Sequence, residues 1–403
     1  MTGKIYITGM GVISAIGIGV GETLRSLLEG RSGIGRIAYL ETSHCDLPSG
    51  EVKLNNAGLC ALLGLDFKSD YARTALLGAV AVREALSSAG ILEAFDTHTA
   101  LVSGTTVGGM DVTERHICND AEENTNWDFI TRQDCGSATE FVTDLFPVFD
   151  FSTTSSTACS SAANAILFGR DLIRSGRYDR VVAGGSESLS RFHLNGFNSL
   201  QILDREPCRP FDSTRAGLNL GEGAGYVVLE SERSVKERGA RPLCLLAGCG
   251  NACDAYHQTA SSPDGEGAFL AMNKALKDSG LKPSMIDYVN AHGTGTQNND
   301  LSEGRALERV FGIGKVPPVS STKSFTGHTT SASGGIEAVI SILALQHGFV
   351  PSNLNFSRQM EELSFVPSTA GDTGCDIRNV LCNAFGFGGN DTSVIFSKTE
   401  ESK

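Results

Sequence analysis

Three residues far apart in this chain have the makings of covalent acyl chemistry: Cys159, His292 and His328. Cys159 stands in Ser156-Thr157-Ala158-Cys159-Ser160-Ser161, a run of small residues that leads into an alanine-rich stretch with helical apolar spacing. A helix N-terminus carries partial positive charge and favours thiolate, so this placement predicts a lowered pKa for the thiol. His292 lies in Ala291-His292-Gly293-Thr294-Gly295-Thr296, and His328 closes Lys323-Ser324-Phe325-Thr326-Gly327-His328. Imidazoles donate hydrogen bonds and exchange protons near neutral pH. A free cysteine is more often a small buried hydrophobe, which suits the other ten here, and a lone histidine is more often structural. Two histidines in small-residue turns with a matching cysteine point instead to carbon–sulfur acyl chemistry.

Such side chains need rigid elements behind them, and the chain supplies the same set twice. Lys4 to Gly11 (KIYITGMG) and Leu243 to Gly250 (LCLLAGCG) each read as an apolar strand running into a Gly-x-Gly turn. Arg83 to Gly90 (REALSSAG) is followed by strand-like Ala100 to Ser103, as Asn273 to Gly280 (NKALKDSG) is followed by Ile286 to Asn290. The cysteine turn leads into a helix over 160–175, and the Lys323–His328 turn into one over 332–348. Glycine turns followed by strands recur at 221–230 and 386–396. Strand, turn and helix in this order, twice, predict an α/β fold with largely parallel sheets. Two similar halves packed together bring equivalent turns to one face, so Cys159, His292 and His328 are expected to meet.

Composition excludes several classes. A net charge of -13 argues against nucleic acid as a partner. Eleven cysteines without regular spacing suggest neither a disulfide framework nor a zinc site, and reduced cytoplasmic thiols are the simpler expectation. No apolar run is long enough for a membrane helix, and residues 1–21 read as a first strand and turn rather than a signal peptide. Gly9-Met10-Gly11 lacks the third glycine of a dinucleotide fingerprint, because position 14 is serine.

Seven segments in order give the chain a specific likeness, running nearly end to end. They are Thr157-Ala158-Cys159-Ser160-Ser161, Gly184-Gly185-Ser186-Glu187-Ser188, Arg209-Pro210-Phe211-Asp212, Gly221-Glu222-Gly223-Ala224-Gly225, residues 290–296, residues 320–328 and residues 383–390. In these the chain resembles the β-ketoacyl-acyl-carrier-protein synthases, condensing enzymes of the thiolase-like fold. The resemblance implies two duplicated halves, 1–240 with the nucleophile and 241–403 with the histidines, in a five-layered αβαβα core of mixed sheets. It implies acyl transfer to Cys159, then decarboxylative Claisen condensation with a malonyl thioester on an acyl carrier protein. His292 and His328 then steady the enolate oxygen, each donor contributing ~3 kcal/mol. Lys323 and Glu337 match an ion pair that supports the histidines. Phe387 matches the oxyanion-hole residue and acyl gate, its backbone N–H paired with that of Cys159. Phe385, Gly386 and Gly388 belong to the same close-approaching turn. Thr294 and Thr296 match threonines that bond the pantetheine arm, although satisfying their own turn is the plain alternative. Val107 matches a position at the acyl pocket. The resemblance implies no resident metal or cofactor, since phosphopantetheine arrives on the carrier, and it implies a homodimer.

Residues 111–151 depart from the usual pattern, which leaves open the chain length and the choice between fatty-acid and specialised polyene or polyketide pathways. Asp300 and Glu303 read as a structural hydrogen-bonding cluster, and Lys68, Arg73 and Arg205 are weak candidates for a basic docking patch. A non-catalytic partner subunit that shapes product length would lose the nucleophile. A thiolase would use a second cysteine in the 383–390 turn, where none stands; Cys382 precedes it as a strand residue.

Overall fold

The computed structural model describes residues 3–93, 98–119 and 127–399, so part of the divergent 111–151 segment lies outside the described residues. Eleven strands lie within them: β1 (Ile5–Ser14), β2 (Gly17–Ile18), β3 (Thr99–Gly104), β4 (Phe149–Ser155), β5 (Arg180–Glu187), β6 (Gly223–Ser231), β7 (Cys244–Cys253), β8 (Tyr288–Asn290), β9 (Val319–Ser320), β10 (Asn379–Gly386) and β11 (Asn390–Ser397). Their spatial order is β4-β3-β5-β6-β1-β7-β11-β10-β8-β9, with β2 beside β1. Read outward from the centre, β1-β6-β5-β3-β4 and β7-β11-β10-β8-β9 are the same order, with matching parallel and antiparallel neighbours. The duplication seen in the sequence is therefore a pseudo-dyad whose axis passes between β1 and β7.

Parallel pairing is confined to the outer strands, and the centre is antiparallel. Part of the reason is local: β10 and β11 are joined only by residues 387–389, and so short a connection permits only antiparallel neighbours.

Side-chain alternation along the strands builds the layers. Val181 and Ala183 of β5 face one core while Val182 faces another; Val380, Cys382 and Ala384 of β10 part in the same way from Leu381 and Phe385. Helices Arg73–Ser88 and Cys135–Leu145 cover one outer face, and Glu266–Ser279 and Gln297–Phe311 the other. Ser161–Arg174 and Ser333–His347 fill the middle, giving the αβαβα stack. From Ser333 to Leu345 every residue of that last helix is buried, as a helix enclosed between the two halves of the sheet requires.

Sequence reading misplaced the Gly-x-Gly segments as turns. They lie inside β1 and β7, where a helix crosses each strand closely. A Cβ on Gly11 would sit 2.0 Å from the Ala81 carbonyl oxygen, and one on Gly250 would sit 2.2 Å from that of Ala271. Gly11→Ala is accordingly expected to destabilise the protein by about 3 kcal/mol, read as a lowered urea midpoint with an unchanged m-value.

Candidate active site

Strand β4 ends at Ser155, and helix Ser161–Arg174 begins six residues later. The chain turns this tightly by putting Ala158 in the left-handed region, with φ of 52°, a conformation that disfavours any residue with a Cβ. Hydroxyls hold the turn. Ser161 Oγ accepts the Thr157 N–H at 2.9 Å and donates to the Ala158 carbonyl at 2.6 Å. Asn164 Nδ2 donates to Thr157 Oγ1 at 2.9 Å and to Asn390 Oδ1 at 2.8 Å. Ser160 and Asn251 bind the same Asn390 oxygen, at 2.9 and 2.8 Å. Asn390, from the second half, thus fastens the Cys159 turn of the first.

That turn presents the Cys159 sulfur to His328, whose Nε2 lies 3.1 Å away. On the far side of the ring, Nδ1 meets Ser333 Oγ at 3.0 Å. The backbone on either side is pinned to the first half: the His328 N–H donates to the Asn219 carbonyl at 2.7 Å, and its carbonyl accepts from Gly221 at 2.9 Å. His292 stands edge-on to His328, with ring centroids 5.3 Å apart and an 84° angle between planes. The three residues that the sequence singled out do meet.

Behind them lies a buried cation. Lys323 Nζ donates to the His292 carbonyl at 2.6 Å, approaches His292 Nδ1 at 3.3 Å and pairs with Glu337. An ammonium only donates, so Nδ1 of His292 is the acceptor and its proton sits on Nε2. Burial holds His292 well below the usual imidazole pKa, helped by the Lys323 charge and by His328. Burial lowers His328 in the same way, with Lys323 and His193 adding to it. Both rings are neutral near pH 7 and can offer one N–H each. Glu337 is pushed up to about 7 by burial, against the pull of Lys323.

The thiol departs from the sequence-based expectation. Burial raises Cys159 to about 11, although Lys323 and the backbone N–H groups of Phe387 and Cys159 favour its thiolate. Desolvation outweighs the helix end because only 5% of the residue is exposed. The resting sulfur is a thiol, and it needs a base.

One cavity of about 440 Å³ contains Cys159, His292 and His328. Its walls include Phe385, Gly386, Phe387, Gly388, Thr294 and Thr296, all six singled out in the sequence. Gly386 passes so near the cysteine turn that an added Cβ would lie 2.9 Å from the Thr157 oxygen. The Phe387 ring stacks on Phe197, centroids 5.8 Å apart. Thr296 Oγ1 lies 2.9 Å from Thr294 Oγ1 and also caps helix Gln297–Phe311, so turn satisfaction holds beside exposure to the cavity. The rest of the wall is uncharged and mixes polar side chains, including Ser261, Gln297 and Asn299, with apolar ones such as Phe197, Ile202 and Leu218.

Other expectations fall elsewhere. Val107 is buried in the turn after β3 and does not line this cavity. Lys323 and Glu337 stand behind the histidines rather than on the wall. Glu303 accepts from the His292 and Gly293 N–H groups at 2.9 and 2.7 Å, while Asp300 accepts from Phe211 and Gly295; both shape the histidine turn. Arg73 is unfit for docking, being buried against Glu222, and Arg205 pairs with Asp46. Sequence reading missed Ser333, Asn219, Asn251 and Phe197. Only Asn390 lay inside a singled-out motif.

Two family models match: "Beta-ketoacyl synthase, N-terminal domain" over residues 2–234 and "Beta-ketoacyl synthase, C-terminal domain" over 243–357. A "3-oxoacyl-[acyl-carrier-protein] synthase 2" from Synechocystis sp. is 34% identical, covering 98% of each chain. One of the same name from Staphylococcus aureus is 33% identical over 98% of this chain and 99% of its own. Among solved structures, "The ishigamide ketosynthase/chain length factor" superposes with a TM-score of 0.91 at 31% identity, covering 99% of this chain and 100% of that one. The duplicated sheet, the facing sulfur and imidazoles, and matches spanning both halves agree on one family, and the chain belongs to the β-ketoacyl synthases.

Proposed function

We propose that Cys159 takes an acyl group from an acyl-carrier-protein thioester and joins it to the carbanion released when a malonyl thioester loses carbon dioxide. The observation that carries this is the 3.1 Å contact of His328 Nε2 with the Cys159 sulfur, with His292 across the same cavity. The thiol proton passes to an acceptor as sulfur attacks the thioester carbonyl, and the carrier thiol leaves with a proton. The N–H groups of Cys159 and Phe387 steady the oxyanion of that step. In the second step the Nε2–H of His292 and that of His328 hydrogen-bond the malonyl thioester oxygen, which gains charge as the carboxylate departs. The nascent carbanion attacks the acyl-cysteine carbon, the carbon–sulfur bond to Cys159 breaks, the thiolate takes up a proton, and the β-ketoacyl product leaves on the carrier, two carbons longer.

Lys323 and Glu337 support the histidines from behind, Lys323 fixing the His292 tautomer. Thr294 and Thr296, with their neutral polar neighbours, suit the amide-bearing pantetheine arm. Phe385, Gly386 and Gly388 bring the turn against the acyl group; Val107, buried outside this cavity, keeps only its match to an acyl-pocket position. Residues 1–240 and 241–403 act as the two halves. A non-catalytic role is disfavoured, because nucleophile and both imidazoles are present and aligned.

A homodimer is part of this reading. Strand β4 ends the sheet, and Phe151 on it and Phe168 near it are exposed, an arrangement suited to pairing with a second copy. Working in the cytoplasm fits the ten described cysteines, all of them free, and no described helix is long and apolar enough to cross a membrane.

Intact-protein mass spectrometry after incubation with acyl carriers of several lengths tests the proposal. An acyl adduct mapped to Cys159 is expected; an adduct elsewhere, or none, refutes it. The histidines give a further test. His292→Ala removes one donor to the enolate, so malonyl decarboxylation is expected to fall about 100-fold or more, and acyl transfer less. Release of carbon dioxide from malonyl carrier protein measures the first, and the adduct rate the second.

A further inference from the structure

The two half-reactions ask opposite things of one atom. Acyl transfer needs a lone pair on His328 Nε2, because the buried thiol keeps its proton and this nitrogen lies 3.1 Å away. Decarboxylation needs a hydrogen on the same Nε2. The ring must therefore be stable as either neutral tautomer, which places the burden on whatever faces Nδ1.

We infer that Ser333 is a positioning residue that holds His328 in both tautomers, through a hydroxyl that accepts from Nδ1–H in one half-reaction and donates to Nδ1 in the other. Ser333 Oγ lies 3.0 Å from Nδ1 and 3.2 Å from Thr329 Oγ1. Nothing else in this triad has a fixed direction: each hydroxyl is both donor and acceptor. When Ser333 accepts from the ring it turns its hydrogen to Thr329, and when it donates to the ring it can accept from Thr329. His328, Thr329 and Ser333 are all at least 98% buried, so no bulk water substitutes for the missing partner. His292 contrasts with this. Its Nδ1 faces the Lys323 ammonium, which can only donate, and its tautomer is fixed. The pair thus divides the work: His292 is a permanent donor, and His328 serves as base and then as donor.

In the first half-reaction the S–H bond breaks as Nε2–H forms, giving an imidazolium whose Nδ1–H rests on Ser333. The sulfur–acyl bond forms and the carrier sulfur leaves with the Nε2 proton, which returns the Nδ1–H ring; before the malonyl step the ring re-equilibrates by exchange with solvent, one proton entering at Nε2 as one leaves Nδ1.

Removing the hydroxyl unbalances the tautomers. A buried unpaired N–H is worse tolerated than an unpaired acceptor, so Ser333→Ala leaves Nδ1 as a bare lone pair and the hydrogen on Nε2. This rests on the reading above, in which Cys159 is the nucleophile and His328 its neighbour in both steps. Ser333→Ala is expected to slow acylation of Cys159 about 10-fold while decarboxylation, followed in a Cys159→Gln background, stays within about 2-fold. Ser333→Thr, which keeps a hydroxyl, is expected to restore acylation. Nitrogen-15 NMR of the full chain, with His328 assigned from a His328→Asn variant, is expected to show mixed tautomers in the parent and the Nε2–H form alone in Ser333→Ala. Equal loss of both half-reactions, no loss in either, or an unchanged His328 tautomer signature overturns the inference. Failure of the parent to acylate Cys159 instead refutes the proposed function, and the NMR comparison still decides the role of Ser333.

Discussion

Cys159→Ala is expected to abolish acyl-enzyme formation and to lower condensation by at least about 10⁴-fold, because no other nucleophile is aligned in the cavity. Among the described residues the cavity wall contains no second cysteine. Cys382, next to the 383–390 turn, is a buried residue of β10, and Cys208 is buried and raised to about 12 by desolvation. Cys159→Gln should separate the steps. Its amide fills the place of the acyl-thioester, accepts from the N–H groups of Cys159 and Phe387, and leaves both imidazoles free to act. Malonyl decarboxylation is therefore expected to persist without condensation. Carbon dioxide release and product mass are the two measurements, and full condensation by either variant would falsify the assignment.

The second large effect is on stability. Lys323→Met removes the cation from a pair whose side chains are 1% and 3% exposed, leaving Glu337 buried without its counter-charge. Breaking such a pair on one side costs about 3–5 kcal/mol. The loss should depend on pH in a definite direction. Glu337 already has its pKa raised to about 7 by burial, with Lys323 holding it down. Without the ammonium it rises further. Between the unfolded carboxyl pKa and this raised value the native state binds more protons than the unfolded state, so stability falls as pH increases. The melting temperature of Lys323→Met is thus expected to drop below that of the parent by a margin that stays level below about pH 7, where Glu337 is protonated in both, and widens above it. Adding Glu337→Gln removes the titrating group and should recover most of the stability and flatten the profile. It should not recover decarboxylation, since His292 Nδ1 still lacks the donor that fixes its tautomer. An unpaired margin that shrinks as pH rises would show that the carboxyl is not the cause.

Stability and chemistry are connected through that lysine. The same Nζ that neutralises Glu337 also holds the His292 carbonyl and ring. It acts on the sulfur as well, where its charge opposes but does not overcome desolvation. The resting sulfur therefore stays a thiol.

Much of this was legible in one dimension. The order of strand, glycine turn and helix, repeated across the chain, already specified two like halves, because each half must bury the same alternating faces. Cys159, His292 and His328 stood out because each occupies a run of small residues where backbone can approach a substrate. Lys323 and Glu337 came only from likeness to a family, since a lysine and a glutamate fourteen residues apart have no intrinsic pattern. Other features could not be read. Gly9 and Gly11 look like a turn in sequence, and only the helix crossing β1 explains why a side chain there is forbidden. Ser333 is one of five small residues in a row, Thr329-Thr330-Ser331-Ala332-Ser333, with no periodicity to mark it.

The sequence by itself determined the duplicated architecture and which sulfur and imidazoles come together, since both are carried by residue type and local spacing. Tertiary structure alone decided the state of those groups: a thiol held up at about 11, two neutral imidazoles, and a different partner on the Nδ1 of each. Protonation depends on desolvation and on charges brought near by folding, and these come from residues scattered across both halves.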